Sequence, residues 1–521
     1  MHQEHREDER PVAEGRGVAG LHGTRYPIAQ GPMTRVSDRA EFAAAVADGG
    51  GLPFLALALL RGPEVRELLV ETKELLGDRP WGVGILGFVP PELRAEQLEV
   101  VHEVAPPHAL IAGGRPSQAT PLEAAGIDTY LHVPSPGLLD RFLKDGARKF
   151  VFEGRECGGH VGPRSSFALW DAQIDRLLQV DDPEHLQVLF AGGIHDARSA
   201  AMAGAAAATL AAKGAHVGVL MGTAYLFTEE SVAAGAIQPA FQDVAVTCDT
   251  TVLLETAPGH ATRCVETDFV RAFAARRDEL IAEGVEAKAR WAELESLNLG
   301  RLRIASKGLV RDEHGRRDVP EDEQRREGMY MIGEVATLRH EVTTVAALHD
   351  DAAAITSRLS MPDDERNLFI IANHHFLIVF DNLSGLKKDI SDALCKLATG
   401  GGFSTRSLYT DDQLVTFSLT RPFAMNGISE FVHRPDLMDR TIPVHLEAMP
   451  EGARRSEEEI KGEFRAILPH ILADLYTAVS CAIRNLPATP VPTELRMADA
   501  AQWLSAAEPA LGLKEGTFVK V

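Results

Sequence analysis

A single histidine, His160, stands in the stretch "EGRECGGHVGP" at 153–163, with Gly158 and Gly159 before it and Gly162 after it. An imidazole donates or accepts a proton near neutral pH. Bare glycine backbone lets a loop pass close to a flat ligand and leaves the ring free to point at it. The competing reading is a solvated loop histidine. His22, His102, His108, His195, His216 and His260 lack such a setting and read as structural or exposed. Further glycines stand in "QGPM", "AGGR", "AGGI" and "MGT". Glycine turns that lead into helices let backbone N–H groups approach a phosphate.

These turns need a scaffold. Eight short apolar runs follow one another between Tyr26 and Thr223, from "YPIAQGP" through "KFVFEG" to "QVLFAGGI" and "HVGVLMGT", most with a helical stretch behind them. Continuous apolar runs suit parallel strands covered on both faces. The pattern predicts a (β/α)8 TIM barrel, with a doubly wound open sheet as the alternative. In a barrel the chemistry lies at the C-terminal strand ends, and turns seven and eight are the usual phosphate site. His160 follows strand six, "AGGI" strand seven and "MGT" strand eight.

Composition narrows the function. The 521 residues carry a formal net charge of −22, with 45% hydrophobic and 25% charged residues. Such acidity argues against general nucleic-acid or anionic-membrane binding, while leaving room for a local basic groove. Five cysteines at 157, 248, 264, 395 and 481 form no close pairs, which points to neither disulfides nor a zinc or other metal site and fits a cytoplasmic protein. Residues 1–23 read as a disordered polar tail without the apolar core of a signal peptide. No apolar run is long enough to span a bilayer.

Together, "PIAQGPM", "EGRECGGHVGP", "LFAGGI" and "LMGTAYLFTEES" resemble the nitronate monooxygenase family, also called 2-nitropropane dioxygenases, over about residues 24–350. That family is a flavin-dependent TIM barrel, and its relatives include FMN-dependent enoyl-acyl-carrier-protein reductases. The resemblance implies FMN at the barrel mouth. Pro32 and Met33 would pass the flavin ring, Gly158 and Gly159 would admit the loop, and Gly192, Gly193, Met221, Gly222 and Thr223 would surround the phosphate. His160 matches the family's catalytic histidine. Three ring-side positions depart from the pattern: Gly84 replaces an asparagine, Glu153 before Gly154 replaces a glutamine, and His132 lies where relatives carry lysine or glutamine. A carboxylate there disfavours an anionic reduced flavin unless it is protonated or paired. The implied reaction is oxidation of a nitronate with O2. The alternative is NAD(P)H-dependent reduction of an enoyl thioester, because "LGRLRIASKG" and "GMYMIGEVATLRHEVTTVAALH" resemble the subgroup found beside polyketide and fatty-acid synthases. A homodimer is compatible with either. Residues 24–260 would form the barrel and 261–350 a helical extension, with "VRDEHGRRDVPEDEQRRE" as a solvated loop.

The rest reads differently. From about residue 351 the chain resembles the C-terminal part of the ATPase domain of phage and plasmid primase-helicase proteins, an incomplete P-loop-type α/β domain with C-terminal helices. "FLIVFDN" would deliver Asp381 as a Walker B acid, "FAMNGI" would end in a sensor Asn426, and Arg434 or Arg440 would serve as a finger. No GxxxxGK[ST] occurs anywhere, so the phosphate cradle is missing and this half is expected not to hydrolyse ATP. Residues 455–486 predict a long amphipathic helix capped by Ser456.

Overall fold

The computed structural model describes residues 17–518 except 313–314, 354–355, 360, 363, 375–376, 407–413, 429, 447–454, 494–495 and 515. It divides into two compact units, 1–353 and 354–521.

In the first unit eight parallel strands close into a barrel: β1 (Ile28–Gln30), β2 (Leu52–Ala56), β3 (Gly82–Leu86), β4 (His108–Ala112), β5 (Asp128–His132), β6 (Lys149–Glu153), β8 (Gln187–Ala191) and β9 (His216–Met221). β9 returns to β1 through Ile28–Val219 and Gln30–Met221. This is the TIM barrel expected from the alternating runs. The two strand faces build two layers. Leu52, Phe54, Leu110, Tyr130, Val151, Leu189 and Leu220 share one apolar cluster that fills the barrel. Leu55, Val83, Ile111, Leu131, Phe152 and Phe190 join a second with the surrounding helices.

The short strand β7 (Gly159–Val161) leaves the barrel and pairs with β11 (His260–Val265), which pairs with β10 (Thr251–Ala257). The β10–β11 hairpin thus carries residues from both sides of the boundary drawn at 260. Helices Asp268–Ala282 and Ala287–Asn298 follow, and Leu254, Cys264, Phe273, Leu280 and Leu294 form their common core.

Two expectations need correction. Residues 18–23 are no tail: helix Val18–His22 seals the N-terminal end of the barrel, with Val18 fully buried in the barrel cluster. His22 Nε2 lies 2.7 Å from the Tyr130 hydroxyl, which donates to Gln187 at 2.7 Å. Residues 1–16 lie outside the described residues. The charge-rich stretch is no plain loop either: β12 (Leu309–Asp312) and β13 (Gly315–Asp318) form an antiparallel hairpin, followed by helix Glu321–Glu327. Helix Val345–Ala353 closes the unit. Buried His349 anchors it, with Nδ1 2.8 Å from the Gly49 carbonyl and Nε2 2.6 Å from the Tyr225 hydroxyl.

In the second unit β14 (Thr356–Leu359), β15 (Leu377–Phe380) and β18 (Phe423–Met425) form a parallel sheet in that order, and β16 (Gly402–Arg406) pairs with β17 (Leu414–Ser418). Helix Glu457–Asn485 begins at Ser456, which exchanges capping bonds with Glu459 as its sequence predicts. Among the described residues no helix is long and apolar enough to cross a membrane.

Candidate functional site

The turns after β8 and β9 have the geometry of an anion cradle. Gly192 and Gly193 adopt φ of +101° and +80°, a region that glycine enters without penalty. Among the described residues the N–H groups of Gly193, Ile194 and Thr223 have no hydrogen-bond partner. A methyl group at Gly193 or Gly222 would meet nothing closer than 3.7 Å, the side chains of Glu156 and Met33 respectively. The cradle is therefore open where an anion would sit. Met221 is buried, and its carbonyl accepts from Gly31 at 2.8 Å, tying the ninth strand to the turn after the first.

Glu156, which sequence reasoning passed over, fastens the histidine loop. Its carboxylate accepts from the Ser166 N–H at 2.8 Å and the Ser166 hydroxyl at 2.6 Å, at the start of helix Ser166–Leu177. The Ser166 hydroxyl also lies 3.0 Å from the Gly192 carbonyl, so one contact chain joins this loop to the cradle.

A strap from the extension crosses the same region. The Glu334 N–H donates to the Glu156 carbonyl at 2.9 Å, and the Gly333 N–H donates to the Thr223 hydroxyl at 2.9 Å. Arg263 of β11 pairs with Glu334 and donates to the Arg155 carbonyl at 2.9 Å. Side chains at Gly158 or Gly333 would collide with this backbone: a methyl group at Gly158 would stand 2.8 Å from Gly333 N, and one at Gly333 2.5 Å from the Glu156 carbonyl. The motif "GMYMIG" carried the strap in the sequence, but nothing local said what it would cross.

His160 lies in β7 opposite Thr262, with an exposed ring. Directly opposed residues of an antiparallel pair share a face. Thr262 in turn opposes Leu254 of the helical core, so His160 faces the extension helices. The surrounding protein lowers its pKa from the ordinary imidazole value; Glu295 opposes this and His260 adds to it. A histidine kept neutral near pH 7 can accept a proton.

On the ring side, His132 Nε2 stands 3.4 Å from Glu153 Oε2, within ion-pair reach of the anomalous carboxylate but without a hydrogen bond to it. Cys157 lies beside it; burial first and then the Glu153 charge push its thiol well up. Gly84 makes room for protein: a methyl group there would stand 2.1 Å from Pro32 Cβ. Pro32 and Met33 thus rest on the third strand, and Met33 borders Gly222. The structure gathers the predicted residues at one end of the barrel, in a ring-side group (Pro32, Met33, Gly84, His132, Glu153) and a cradle group (Gly158, Gly159, Gly192, Gly193, Met221, Gly222, Thr223). Among the described residues no cluster of His, Cys, Asp or Glu could hold a metal ion.

Residues 96–351 match the family model described as nitronate monooxygenase, and residues 347–518 match the actinomycete integrative conjugative element replication protein. The chain is similar to the (3aS,4S,5R,7aS)-5-hydroxy-7a-methyl-1-oxo-octahydro-1H-indene-4-carboxyl-CoA dehydrogenases of Rhodococcus jostii and Mycobacterium tuberculosis. The first is 29% identical over 48% of this chain, and the match spans 65% of that relative's length. The second is 25% identical over 73% of this chain and 96% of the relative. Among solved structures, FabK from Thermotoga maritima is 26% identical with a TM-score of 0.51, covering 64% of this chain and 94% of FabK.

In the second unit β15 and β18 lie side by side and end together. Asp381 and Asn426 follow them, and the Asn426 side-chain oxygen accepts from the Asn382 N–H at 2.7 Å. β14, unforeseen in the sequence, covers the other side of β15. Neither proposed finger is free: Arg434 pairs with Asp392 at 2.8 Å, and Arg440 pairs with Asp436 at 2.8 Å with its side chain only 9% exposed.

Proposed function

We propose that the first unit is an FMN-dependent oxidoreductase acting on an acyl thioester. The observation that carries the flavin is the row of unpartnered N–H groups at Gly193, Ile194 and Thr223 beside the histidine loop. Such donors suit the dianionic phosphate of FMN. When bound, FMN supplies hydride acceptance and donation. The chain supplies the rest. Pro32 and Met33 set the edge along which the ring would lie. A protonated His132 would offset the Glu153 carboxylate beside the ring. His160, held neutral, orients the substrate carbonyl or moves the proton at the carbon beside it.

The relatives named as carboxyl-CoA dehydrogenases support the thioester over a small nitronate. Enoyl-thioester reduction and the reverse dehydrogenation are one reaction in two directions: NAD(P)H would supply the hydride for reduction, and an electron acceptor would take it up after dehydrogenation. Oxidation of a nitronate with O2 is the second reading, favoured by the matched family itself. The test is anaerobic. Purified full-length protein should be yellow, and replacing Gly193 and Gly222 together by valine should release the flavin while the barrel's circular dichroism persists. Saturated acyl-CoA, NAD(P)H and an alkyl nitronate are then offered in turn. Bleaching by acyl-CoA or NAD(P)H supports the thioester reading, and bleaching by nitronate alone overturns it.

A further inference from the structure

An excess of arginine stands at the catalytic edge of this acidic chain. Arg35 follows β1 and Glu64 follows β2, so both mark the C-terminal end of the barrel. The hairpin reaches them: the Arg316 guanidinium donates to Glu64 at 3.2 Å. Within the hairpin Arg311 lies directly opposite Arg316. Like charges directly opposed across strands destabilise the pair. Arg35 holds φ of +62°, strained for a residue with a side chain and a feature that gathers at functional sites. Arg303 is half-buried in helix Arg301–Lys307. Burial lowers its pKa first, followed by the nearby Arg35, Arg316 and Arg311, against Glu64 alone. Arg35, Arg303 and Arg311 form no ion pair among the described residues.

Guanidinium groups gathered this way repel one another unless a polyanion joins them, and guanidinium forks grip phosphate. Exposed apolar side chains follow the second and third strands on the same edge: Leu59, in the turn before Glu64, is 56% exposed, and Phe88, after β3, is 69% exposed. The ligand that fits has several phosphates at one end and a less polar arm at the other. We propose that Arg35, Arg303, Arg311 and Arg316 hold the phosphates of a coenzyme A thioester, with Leu59 and Phe88 bordering its arm. This rests on the acyl-thioester reading above, but it is tested by binding alone.

Free coenzyme A, pantetheine and NADPH are titrated calorimetrically into the full chain, into Arg311→Ala/Arg316→Ala, into Arg303→Ala and into Arg311→Lys/Arg316→Lys. The first two replaced positions are exposed, which protects folding, and flavin absorbance and circular dichroism monitor it. Coenzyme A affinity should fall about 10- to 100-fold in both alanine variants. It should largely survive in the lysine variant and weaken with salt. Pantetheine binding should not respond to any of them. Unchanged coenzyme A affinity in the alanine variants overturns the proposal, as does a loss confined to NADPH. A colourless protein that binds coenzyme A through these arginines would sink the flavin reading and leave this one standing. A yellow protein indifferent to their loss would do the reverse.

Discussion

The two units use the same device to different ends. Each places polar residues in turns after parallel strands. In the barrel, the turns after β8 and β9 offer left-handed glycines and unpartnered N–H groups. In the second unit, the turns after β15 and β18 offer Asp381 and Asn426, and the Asn426 oxygen is already satisfied by the Asn382 N–H. A carboxylate at a strand end can meet a metal, but an anion needs donors. The first arrangement can therefore grip a phosphate. The second places an acid and an amide at its strand ends, and the sequence holds no P-loop.

His160 sharpens this comparison most. The proposed flavin grip lies in the cradle and the proposed acid–base group on β7. His160→Ala should therefore keep its flavin and lose turnover by about 10²–10⁴-fold, the contribution of a positioned acid–base group. Single-turnover flavin reduction by acyl-CoA in that variant checks it. Full turnover, or loss of the flavin itself, would move His160 from chemistry to structure.

The next effect is on stability, at the opposite end of the barrel. Burial lowers His22 to about 3 and His108 to about 4, so both stay neutral in the folded state near neutral pH. In the unfolded chain they protonate near pH 6.5. The unfolded state thus binds more protons below 6.5, and stability falls as pH drops from there to about 4 and then about 3. Each unit of depression is worth about 1.4 kcal/mol. Denaturant melts of the wild type between pH 7 and 4 should show this slope, and His22→Phe should flatten it. An unchanged slope would mean that the sealing helix does not depend on the neutral ring.

How much of this was legible follows from how far each signal travels. The eight strands, the cradle glycines and the histidine loop are local patterns; the strands close into the barrel and the glycines stand at its C-terminal end, while His160 faces the extension helices. The approach of His132 to Glu153 is not readable from the sequence, because it depends on the ends of neighbouring strands. The strap was invisible: Gly333 meets Thr223 across 110 residues. The sealing helix reads as tail in the sequence because its five residues carry little local signal, and its burial comes from the barrel it enters. The charged hairpin reads as loop in the sequence because opposed arginines disfavour strand pairing.

A smaller effect tests the strap. Gly333→Val puts a side chain where the Glu156 carbonyl, Gly158 N and the Thr223 hydroxyl already stand within 3 Å. Forcing atoms into packed space costs about 1–3 kcal/mol. Gly204→Ala, whose added methyl group meets nothing within 4 Å, serves as the control and should not destabilise. If the two variants melt alike, the strap does not press on the loop.

The smallest effect expected is none, and it concerns the second unit. Asp381 is exposed at the end of β15, with Asn426 beside it, so a divalent ion could reach the carboxylate. Hydrolysis needs more: the γ-phosphate must be held in line while charge develops on its oxygens. The N–H cradle and lysine that do this are absent from the sequence, and the candidate arginines are committed to Asp392 and Asp436. The full chain with magnesium, ATP and DNA should therefore release phosphate at the rate of the buffer, and Asp381→Ala should not change that rate. Turnover that Asp381→Ala abolishes would show that the nucleotide is held by groups other than a P-loop, and the contrast between the two units would then be one of design instead of loss.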